Sequence, residues 1–313
     1  MDTGFHHVSV LLPEATDALN IRPDCTYADL TTGGGGHSYE IAKRLGKGGR
    51  LLCFDRDAEA IAAARIRLAE FGDKITFIHE NFENIGRVLR ELSIDNLAGV
   101  VADLGCSSHQ FDTPERGFAY QYDAPLDMRM DTDAGLSAAD VVNTYSEAEL
   151  VRIIREYGEE RFAGRIASRI VSARATRPIR TTFELAELIK AAIPAAARAD
   201  GPHPAKRTFQ AIRIEVNHEL DSIAPAIEAS IDALIPGGRI SIISFHSLED
   251  RAVKNAFASA ATGCTCPKDF PVCVCGKKPR IEILTRKPIL PTDEELNDNP
   301  RSRSAKLRVA KKL

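Results

Sequence analysis

The sequence predicts an α/β fold in which a parallel sheet with crossover helices is interrupted by an inserted helical segment. Strand and helix patterns alternate over the first part of the chain, and a glycine run, residues 33–36, follows the first strand. Helical patterns then continue until a strand pattern returns at residues 238–245. We therefore expect a discontinuous sheet domain, residues 1–134 and 210–313, with an all-helical domain inserted at residues 135–209.

The first elements follow from apolar patterns and turn residues. Each predicted strand is short and apolar, and the helical segments are rich in helix formers such as alanine. The predicted strands occupy residues 26–30, 49–54, 75–79 and 97–104, and the predicted helices occupy residues 37–45 and 58–71.

Different signals mark the inserted helices and the return to the sheet. Ser146 with Glu149, and Thr181 with Glu184, form capping-box patterns that begin helices. In the helical stretch before the last strand, apolar residues recur in steps of three and four, which predicts one buried stripe. Pro225 lies inside that stretch, so we expect a kink or a restart of the helix there.

Composition and charge narrow the class of protein. The chain has 313 residues with 44% hydrophobic and 27% charged residues, as in ordinary globular proteins. We expect no membrane span and no secretory signal, and therefore a cytoplasmic protein. The net charge is only −3, but residues 152–180 hold eight arginines against three glutamates, and residues 301–313 are basic without acids. Such patches suit phosphate binding, although a solvated helix face would look similar.

The glycine run predicts a site for a nucleotide-like ligand, because glycines between a strand and a helix let backbone amides approach it. Asp55 closes the second strand about 20 residues further on, where a carboxylate accepts hydrogen bonds from both ribose hydroxyls of an adenosine. Phe82, after the third strand, would stack on adenine, but core packing explains it equally well. Nicotinamide dinucleotides use the same layout, yet their pattern has glycine or alanine where this chain has Ser38.

Longer motifs follow one another along the chain. They are His7-Val-Ser-Val-Leu-Leu12, Thr31-Thr-Gly-Gly-Gly-Gly-His-Ser38, Asp55-Arg-Asp57, Asp103-Leu-Gly-Cys-Ser-Ser108, Glu115-Arg-Gly-Phe118, Pro125-Leu-Asp-Met-Arg-Met-Asp131, Tyr157-Gly-Glu-Glu-Arg-Phe162, Arg207-Thr-Phe-Gln-Ala-Ile-Arg213 and Ser244-Phe-His-Ser-Leu-Glu-Asp-Arg251. With these motifs the chain resembles, over nearly its whole length, the bacterial 16S ribosomal RNA cytosine-N4 methyltransferases. A Pro-Gly-Gly turn before the last predicted strand also resembles a later motif of class I methyltransferases.

The resemblance implies a Rossmann-like class I methyltransferase sheet with an inserted helical substrate-recognition domain. It implies S-adenosylmethionine as the cofactor and, as the substrate, a cytidine in the decoding region of 16S ribosomal RNA within the small ribosomal subunit. In the family pattern a proline follows the two serines, whereas this chain has His109. The cofactor residues that the resemblance implies are Gly35, Gly36, His37, Asp55, Phe82, Asp103 and Gln110.

The chemistry requires the cytosine amino group to be held in line with the methyl group, since its lone pair is delocalised into the ring. We expect acceptors in the loop with Asp103, Ser107 and Ser108 to hold the amino hydrogens. The alternative for Asp103 is that it only anchors the cofactor, and the family's cofactor contacts favour that alternative.

A polar stripe and one histidine are predicted on the substrate side. Gln210, Arg213 and Asn217 follow at steps of three and four, and with Arg207 they predict an RNA-facing surface. A solvated helix face is the alternative. His246 follows the last predicted strand, at the end of the sheet where ligands of open α/β folds bind, but a structural histidine fits nearly as well.

Seven cysteines and the absence of a signal argue against a disulfide framework. Four of them form the pattern Cys264-x-Cys266 and Cys273-x-Cys275, and four thiolates this close would suit zinc. The usual Cys-x2-Cys spacing is absent, so we predict no metal, with zinc as the alternative. We expect the lysines that follow to meet phosphate.

Two other classes of function are compatible with these patterns. One is an RNA-binding assembly factor that keeps the fold without catalysis, and the other is a dehydrogenase. The intact glycine run and Asp55 argue against the first, and binding of NAD in preference to S-adenosylmethionine would support the second. The sequence leaves the oligomeric state open.

Overall fold

The computed structural model describes residues 9–133, 135–198, 203–266 and 275–313. His7 and Cys273, which belong to two of the sequence motifs, lie outside the described residues. The chain divides into two compact units, residues 1–105 with 220–313, and residues 106–219. The second unit begins and ends outside the predicted limits of 135–209.

The described ranges contain seven strands and thirteen α-helices. The strands are β1 Thr26–Asp29, β2 Arg50–Asp55, β3 Ile75–His79, β4 Leu97–Asp103, β5 Leu234–Ser244, β6 Ile281–Ile283 and β7 Lys306–Lys312. The helices are α1 Leu12–Ala18, α2 Gly36–Lys43, α3 Ala58–Arg67, α4 Ile85–Glu91, α5 Ser108–Asp112, α6 Ala138–Thr144, α7 Glu147–Glu156, α8 Ala163–Arg174, α9 Thr182–Ala192, α10 Lys206–Asn217, α11 Ile223–Ala233, α12 Ser247–Ala261 and α13 Asp293–Asp298. Among these helices, none has the length and apolar character that a bilayer span requires.

The first unit contains one sheet with the strand order β3-β2-β1-β4-β5-β7-β6. Strands β1 to β5 run parallel, whereas β7 pairs antiparallel with both β5 and β6. The order reverses between β1 and β4. In open α/β sheets, ligands bind beyond the carboxyl ends of the strands at such a reversal. The topology therefore directs attention to the ends of β1 and β4 and confirms the predicted α/β class.

Both faces of this sheet are buried, and successive residues along a strand belong alternately to the apolar clusters on the two faces. On β2, Leu51 and Cys53 belong to one apolar cluster, while Leu52 and Phe54 belong to the other. Successive side chains of a strand point to opposite faces, so β2 contributes to two cores. This explains why the predicted strands are apolar without a polar face.

The predicted Pro-Gly-Gly turn is part of β5 rather than a separate turn before it. Leu234 pairs with Leu97, and the next paired residue on β5 is Arg239, opposite Gly99. The residues between form an irregularity in which Gly237 has a φ of 80°. A positive φ costs glycine least, which explains a glycine there.

The second unit is helical and has its own core. The capping box at Ser146 is present with Glu149, as predicted. Thr181 also caps its helix, but Glu184 accepts from the amide of Arg180 rather than from that of Thr181. The apolar faces of helices α6 to α10 share one cluster of buried residues.

The long apolar stripe before β5 is divided between α10 and α11, as Pro225 predicted. The break lies upstream of the proline: α10 ends at Asn217, and the C-cap residue His218 has a φ of 50°. Pro225 is the third residue of α11. The first-turn amides of a helix have no intrahelical acceptor, so proline is tolerated there.

Candidate functional site

The glycine turn after β1 is required by backbone conformation and by close packing. Gly33 and Gly35 have φ values of 50° and 79°, which non-glycine residues rarely adopt. Gly36 begins α2, and a Cβ atom there would overlap Oγ of Ser9. Backbone conformation therefore disfavours a side chain at Gly33 and Gly35, and contact with Ser9 disfavours one at Gly36.

Asp55 fixes this turn from the end of the neighbouring strand. Its Oδ2 accepts from the amide of Gly33 at 2.7 Å, and its Oδ1 accepts from the amide of Asp57 at 2.9 Å. A carboxylate oxygen has a second lone pair, so these bonds leave capacity for hydroxyl donors. The structure thus places Asp55 beside the glycines, as the sequence predicted.

Two further carboxyl groups, those of Asp29 and Asp103, lie at the reversal of strand order. Asp29, at the end of β1, accepts from Oγ of Ser38 at 2.6 Å and from the amide of Thr31 at 3.1 Å. The amide of Asp103, at the end of β4, donates to Oγ1 of Thr31 at 2.5 Å. Ser38 stands where dinucleotide-binding turns have glycine, and its hydroxyl holds Asp29.

Burial raises the pKa of all three strand-end carboxyls. Desolvation raises the pKa of Asp29 and that of Asp55 to about 6. For Asp55, desolvation outweighs the positive charge of Arg56, which lowers the pKa. The pKa of Asp103 is well above its ordinary value, first through burial and then through the charges of Asp29, Glu249 and Glu295. In the described part of the chain, these three carboxyls form no ion pair with a Lys or Arg side chain.

The buried Oδ1 atom of Asp103 accepts no hydrogen bond from the described residues. An acceptor in that state is costly unless a ligand or water supplies a donor. Together, Asp29, Asp55 and Asp103 form a carboxyl cluster that no ion pair within the described ranges neutralises. A ligand with hydroxyl donors and positive charge fits it.

Two predicted cofactor residues have structural contacts of their own. His37 is buried, and its Nε2 lies 3.1 Å from the carbonyl oxygen of Val10. Phe82 is 8% exposed within the apolar core, and the Arg56 guanidinium lies 5.9 Å from its ring centroid. Their contact with a cofactor stays a prediction.

The three polar residues of the loop after β4 belong to the second unit. Oγ of Ser107 accepts from the amide of Gln110 at 3.2 Å, and the Gln110 side-chain oxygen accepts from the amide of Ser107 at 3.1 Å. This reciprocal pair begins α5, and Ser108 is the first residue of that helix. The roles predicted for Ser107, Ser108 and Gln110 at the substrate and cofactor stay predictions, with a capping role added to two of them.

Helix α10 differs from the RNA-facing surface that its spacing predicts. Asn217 is buried: its Nδ2 donates to the carbonyl oxygens of Met128 and Arg213 at 2.8 and 2.9 Å, and its Oδ1 accepts from the amide of Met130 at 2.8 Å. Arg213 makes two hydrogen bonds to Glu219, at 2.8 and 2.9 Å. The spacing correctly gave one face, but Arg213 and Asn217 on this face bond to other residues of the second unit rather than face water.

The remaining two predicted substrate residues on α10 are more accessible. Arg207 is exposed and donates to the carbonyl oxygen of Glu159 at 3.2 Å. Gln210 is partly exposed, and its Nε2 donates to the carbonyl oxygen of Tyr157 at 3.0 Å. Both hold the segment between α7 and α8, and their contact with RNA stays a prediction.

His246 caps α12. Its Nδ1 accepts from the amide of Glu249 at 3.3 Å, while the Glu249 carboxylate accepts from the amide of His246 at 3.2 Å. This is a capping box in which histidine takes the place of serine or threonine. The structural role is therefore present, and a role in substrate binding stays a prediction.

Sequence reasoning missed Asp29 and Thr31 as members of this site. The available signal was an acid that ends an apolar strand just before the glycine run, as Asp55 ends the next strand. The contact between Thr31 and Asp103 forms because β1 lies beside β4 in the sheet. These two strands are not consecutive in the sequence, so the sequence pattern does not indicate the contact.

The fold and site define a class: an open α/β enzyme with a glycine turn, a carboxylate that holds this turn and a cluster of carboxyls at the strand reversal, which is a class I S-adenosylmethionine-dependent methyltransferase. The model of the MraW methylase family matches residues 4–313. The chain belongs to the MraW methylase family, and its cofactor is S-adenosylmethionine.

Curated relatives match over nearly the whole chain. A protein of Lachnospira eligens named "Ribosomal RNA small subunit methyltransferase H" is 59% identical, with 99% of this chain and 98% of the relative covered. A protein of the same name from Clostridioides difficile is 57% identical, with 99% of each chain covered. The crystal structure of an rRNA methylase from Streptococcus thermophilus is 13% identical with a TM-score of 0.42, covering 98% of this chain and 99% of that one.

The raised carboxyl pKa values predict how cofactor binding depends on pH. A cationic ligand binds ionised carboxyls best, and Asp29 and Asp55 become protonated below a pH of about 6. The affinity for S-adenosylmethionine should therefore fall below that value by up to about tenfold per pH unit for each carboxyl that must be ionised. Calorimetric titration at a series of pH values measures this.

S-adenosylhomocysteine is the matched control ligand, because it keeps the ribose and lacks the sulfonium charge. Its affinity should change less with pH, and Asp55→Asn should weaken binding of both ligands. Affinities that stay constant for both ligands across this pH range would contradict the role assigned to the carboxyl cluster.

The position of Asn217 predicts a loss of stability. Replacement of Asn217 by alanine removes an acceptor from the buried amide of Met130 and should lower the free energy of unfolding by about 1–3 kcal/mol. Gln210→Ala, on the same helix, loses one partly exposed hydrogen bond and should cost less than about 1 kcal/mol. Urea unfolding of both variants tests this, and equal effects would place Asn217 outside the packing of the second unit.

Proposed function

We propose that the protein transfers a methyl group from S-adenosylmethionine to the N4 amino group of a cytidine in the decoding region of 16S ribosomal RNA. The substrate is the RNA within the small ribosomal subunit. The carboxyl cluster supports the cationic methyl donor. The motifs in the second half of the chain and the names of the relatives support ribosomal RNA as the acceptor.

The charge of the site separates the methyl donor from a nicotinamide dinucleotide. A dinucleotide places an anionic pyrophosphate at the glycine turn, where the negative charges of Asp29 and Asp103 would repel it. S-adenosylmethionine carries a sulfonium cation and an ammonium group, whose positive charges stabilise these carboxylates. The same site therefore disfavours the dehydrogenase alternative.

Each protein group has a separate task in this proposal. The cofactor supplies a methyl group on a positively charged sulfur. Asp55 accepts hydrogen bonds from the ribose hydroxyls, and the glycine turn leaves room for the ligand. Asp103 supplies an acceptor that lacks a donor in the described part of the chain. Ser107 and Ser108 hold the hydrogens of the cytosine amino group, so that its lone pair points toward the methyl group.

The described arginines suggest where RNA phosphates bind. Arg161, Arg165 and Arg169 follow at steps of four, just before and within α8, and all three are exposed. None of them forms an ion pair with an acid of the described residues, whereas the exposed Arg152 pairs with Glu215. Unpaired cations on one helical face are suited to phosphate. We therefore place the RNA surface on α8 in addition to Arg207.

The substrate assignment predicts selectivity for an assembled particle. The protein should methylate small ribosomal subunits that lack the modification and should leave free cytidine unmodified, because free cytidine offers no phosphate surface. Nucleoside mass spectrometry should place the methyl group on N4. Methylated free cytidine, or binding of RNA without any transfer, would contradict the proposal; the second result would indicate an assembly factor.

The RNA surface has its own variants in the same assay. Arg165→Ala with Arg169→Ala should reduce the salt dependence of RNA binding, lowering the slope by about 2. Arg87→Ala is the matched control, because Arg87 is an exposed arginine of the first unit that pairs with Glu80 and Glu91. The control should leave the slope unchanged.

The two serines have a separate test. Ser107→Ala with Ser108→Ala should lower the single-turnover rate by about a hundredfold, without the same loss in cofactor affinity, since oriented acceptors act on the reacting amino group. Ser146→Ala removes the corresponding capping box of α7 and serves as the control for lost capping. An unchanged rate in the double variant would eliminate the serines from catalysis.

A further inference from the structure

A cluster of three cysteines lies between α12 and β6 in the sequence. The Sγ atoms of Cys264, Cys266 and Cys275 all lie within 4.8 Å of one another. Cys264 and Cys275 are exposed, and Cys266 is partly exposed. Eleven positions separate Cys264 from Cys275, so these two cysteines are not close neighbours in the sequence.

The separation of two of these sulfurs matches a tetrahedral zinc site. Sγ of Cys264 and Sγ of Cys275 are 3.7 Å apart. Zinc–sulfur bonds of about 2.3 Å at tetrahedral angles place two sulfurs about 3.8 Å apart. A disulfide would place them about 2.05 Å apart, which requires a rearrangement of both side chains.

The ends of the segment are fixed by contacts within the first unit. The amide of Arg280 donates to the carbonyl oxygen of Ala260 at 2.9 Å, so the chain returns beside the end of α12. The Arg280 guanidinium also bonds to Asp232 at 2.8 Å and to Glu228, both on α11. These contacts fix the chain on both sides of the three cysteines, which lowers the conformational cost of ligation.

We propose that Cys264, Cys266 and Cys275 are ligands of a structural zinc ion. Each thiol loses its proton on binding, and the thiolates donate electron pairs to Zn²⁺ without any change of oxidation state. Three thiolates leave one negative charge on the ion and its ligands, and Lys277 and Lys278 closely follow the last ligand. The sulfur donors select zinc over magnesium or calcium, which prefer oxygen.

Metal content of the full-length protein tests this directly. Protein expressed in zinc-supplemented medium and purified without chelators should contain about one zinc ion per chain by elemental analysis. Cys264→Ser and Cys275→Ser should each reduce the zinc content by about tenfold or more. Cys25→Ser, a change at a cysteine outside the cluster, should leave it unchanged. Zinc well below one per chain in the unaltered protein would overturn the proposal.

Two further measurements keep the test independent of how the variants fold. Treatment of the unaltered protein with a chelator should lower its Tm, and added ZnCl₂ should restore it. Cobalt substitution should give the visible absorption of a tetrahedral thiolate site. A peptide map under non-reducing conditions that links Cys264 to Cys275 without bound zinc would replace the metal site by a disulfide.

Discussion

The hydrogen bond from the Gly33 amide to the Asp55 carboxylate is the interaction on which the site depends. It ties the glycine turn after β1 to the end of β2, and the second oxygen of the same carboxylate holds the start of α3 through Asp57. One side chain therefore sets the shape of the turn and offers acceptors beside it. Close packing adds a second constraint, since Ser9 lies where a side chain at Gly36 would have to stand.

The buried strand-end carboxyls lower the stability of the folded protein when no ligand is bound. The pKa values of Asp29 and Asp55 are about 6 in the folded protein, above those of the unfolded chain. The folded state therefore binds protons more strongly between pH of about 4 and 6, and stability falls as the pH rises through that interval. Above it the cost is fully present. A positively charged cofactor offsets the cost, so the carboxyl cluster couples stability to binding.

The second unit shows how a polar helix face is used inside a protein. Asn217 and Arg116 both bond to the backbone of residues 128–130, where Met128 has a φ of 60°. Asn217, at the end of the polar stripe of α10, thus supports an irregular loop instead of facing solvent. Arginines without an ion pair among the described residues lie on α8, which adds a second helix to the proposed phosphate contacts.

The sequence by itself determined the α/β class, the first five strands along the chain, the glycine turn and Asp55, because these depend on local patterns of two, three and four residues. Capping at Ser146 and the restart of the helix shortly before Pro225 follow for the same reason, whereas β6 and β7 were not predicted. Only the tertiary structure decided which strands are neighbours, and with it the contacts of Asp29, Thr31 and Asp103.

Helical spacing predicts which side chains share a face of the helix, but not what that face contacts. The tertiary structure therefore decided that Asn217 and Arg213 point into the protein. The same holds for the late cysteines: their spacing left zinc open, and only the tertiary structure shows that Cys264, Cys266 and Cys275 lie within 4.8 Å of one another. The glycine turn itself was visible in the sequence from the start. Its charge, which favours a cationic methyl donor, came from three strand ends that only the folded sheet brings together.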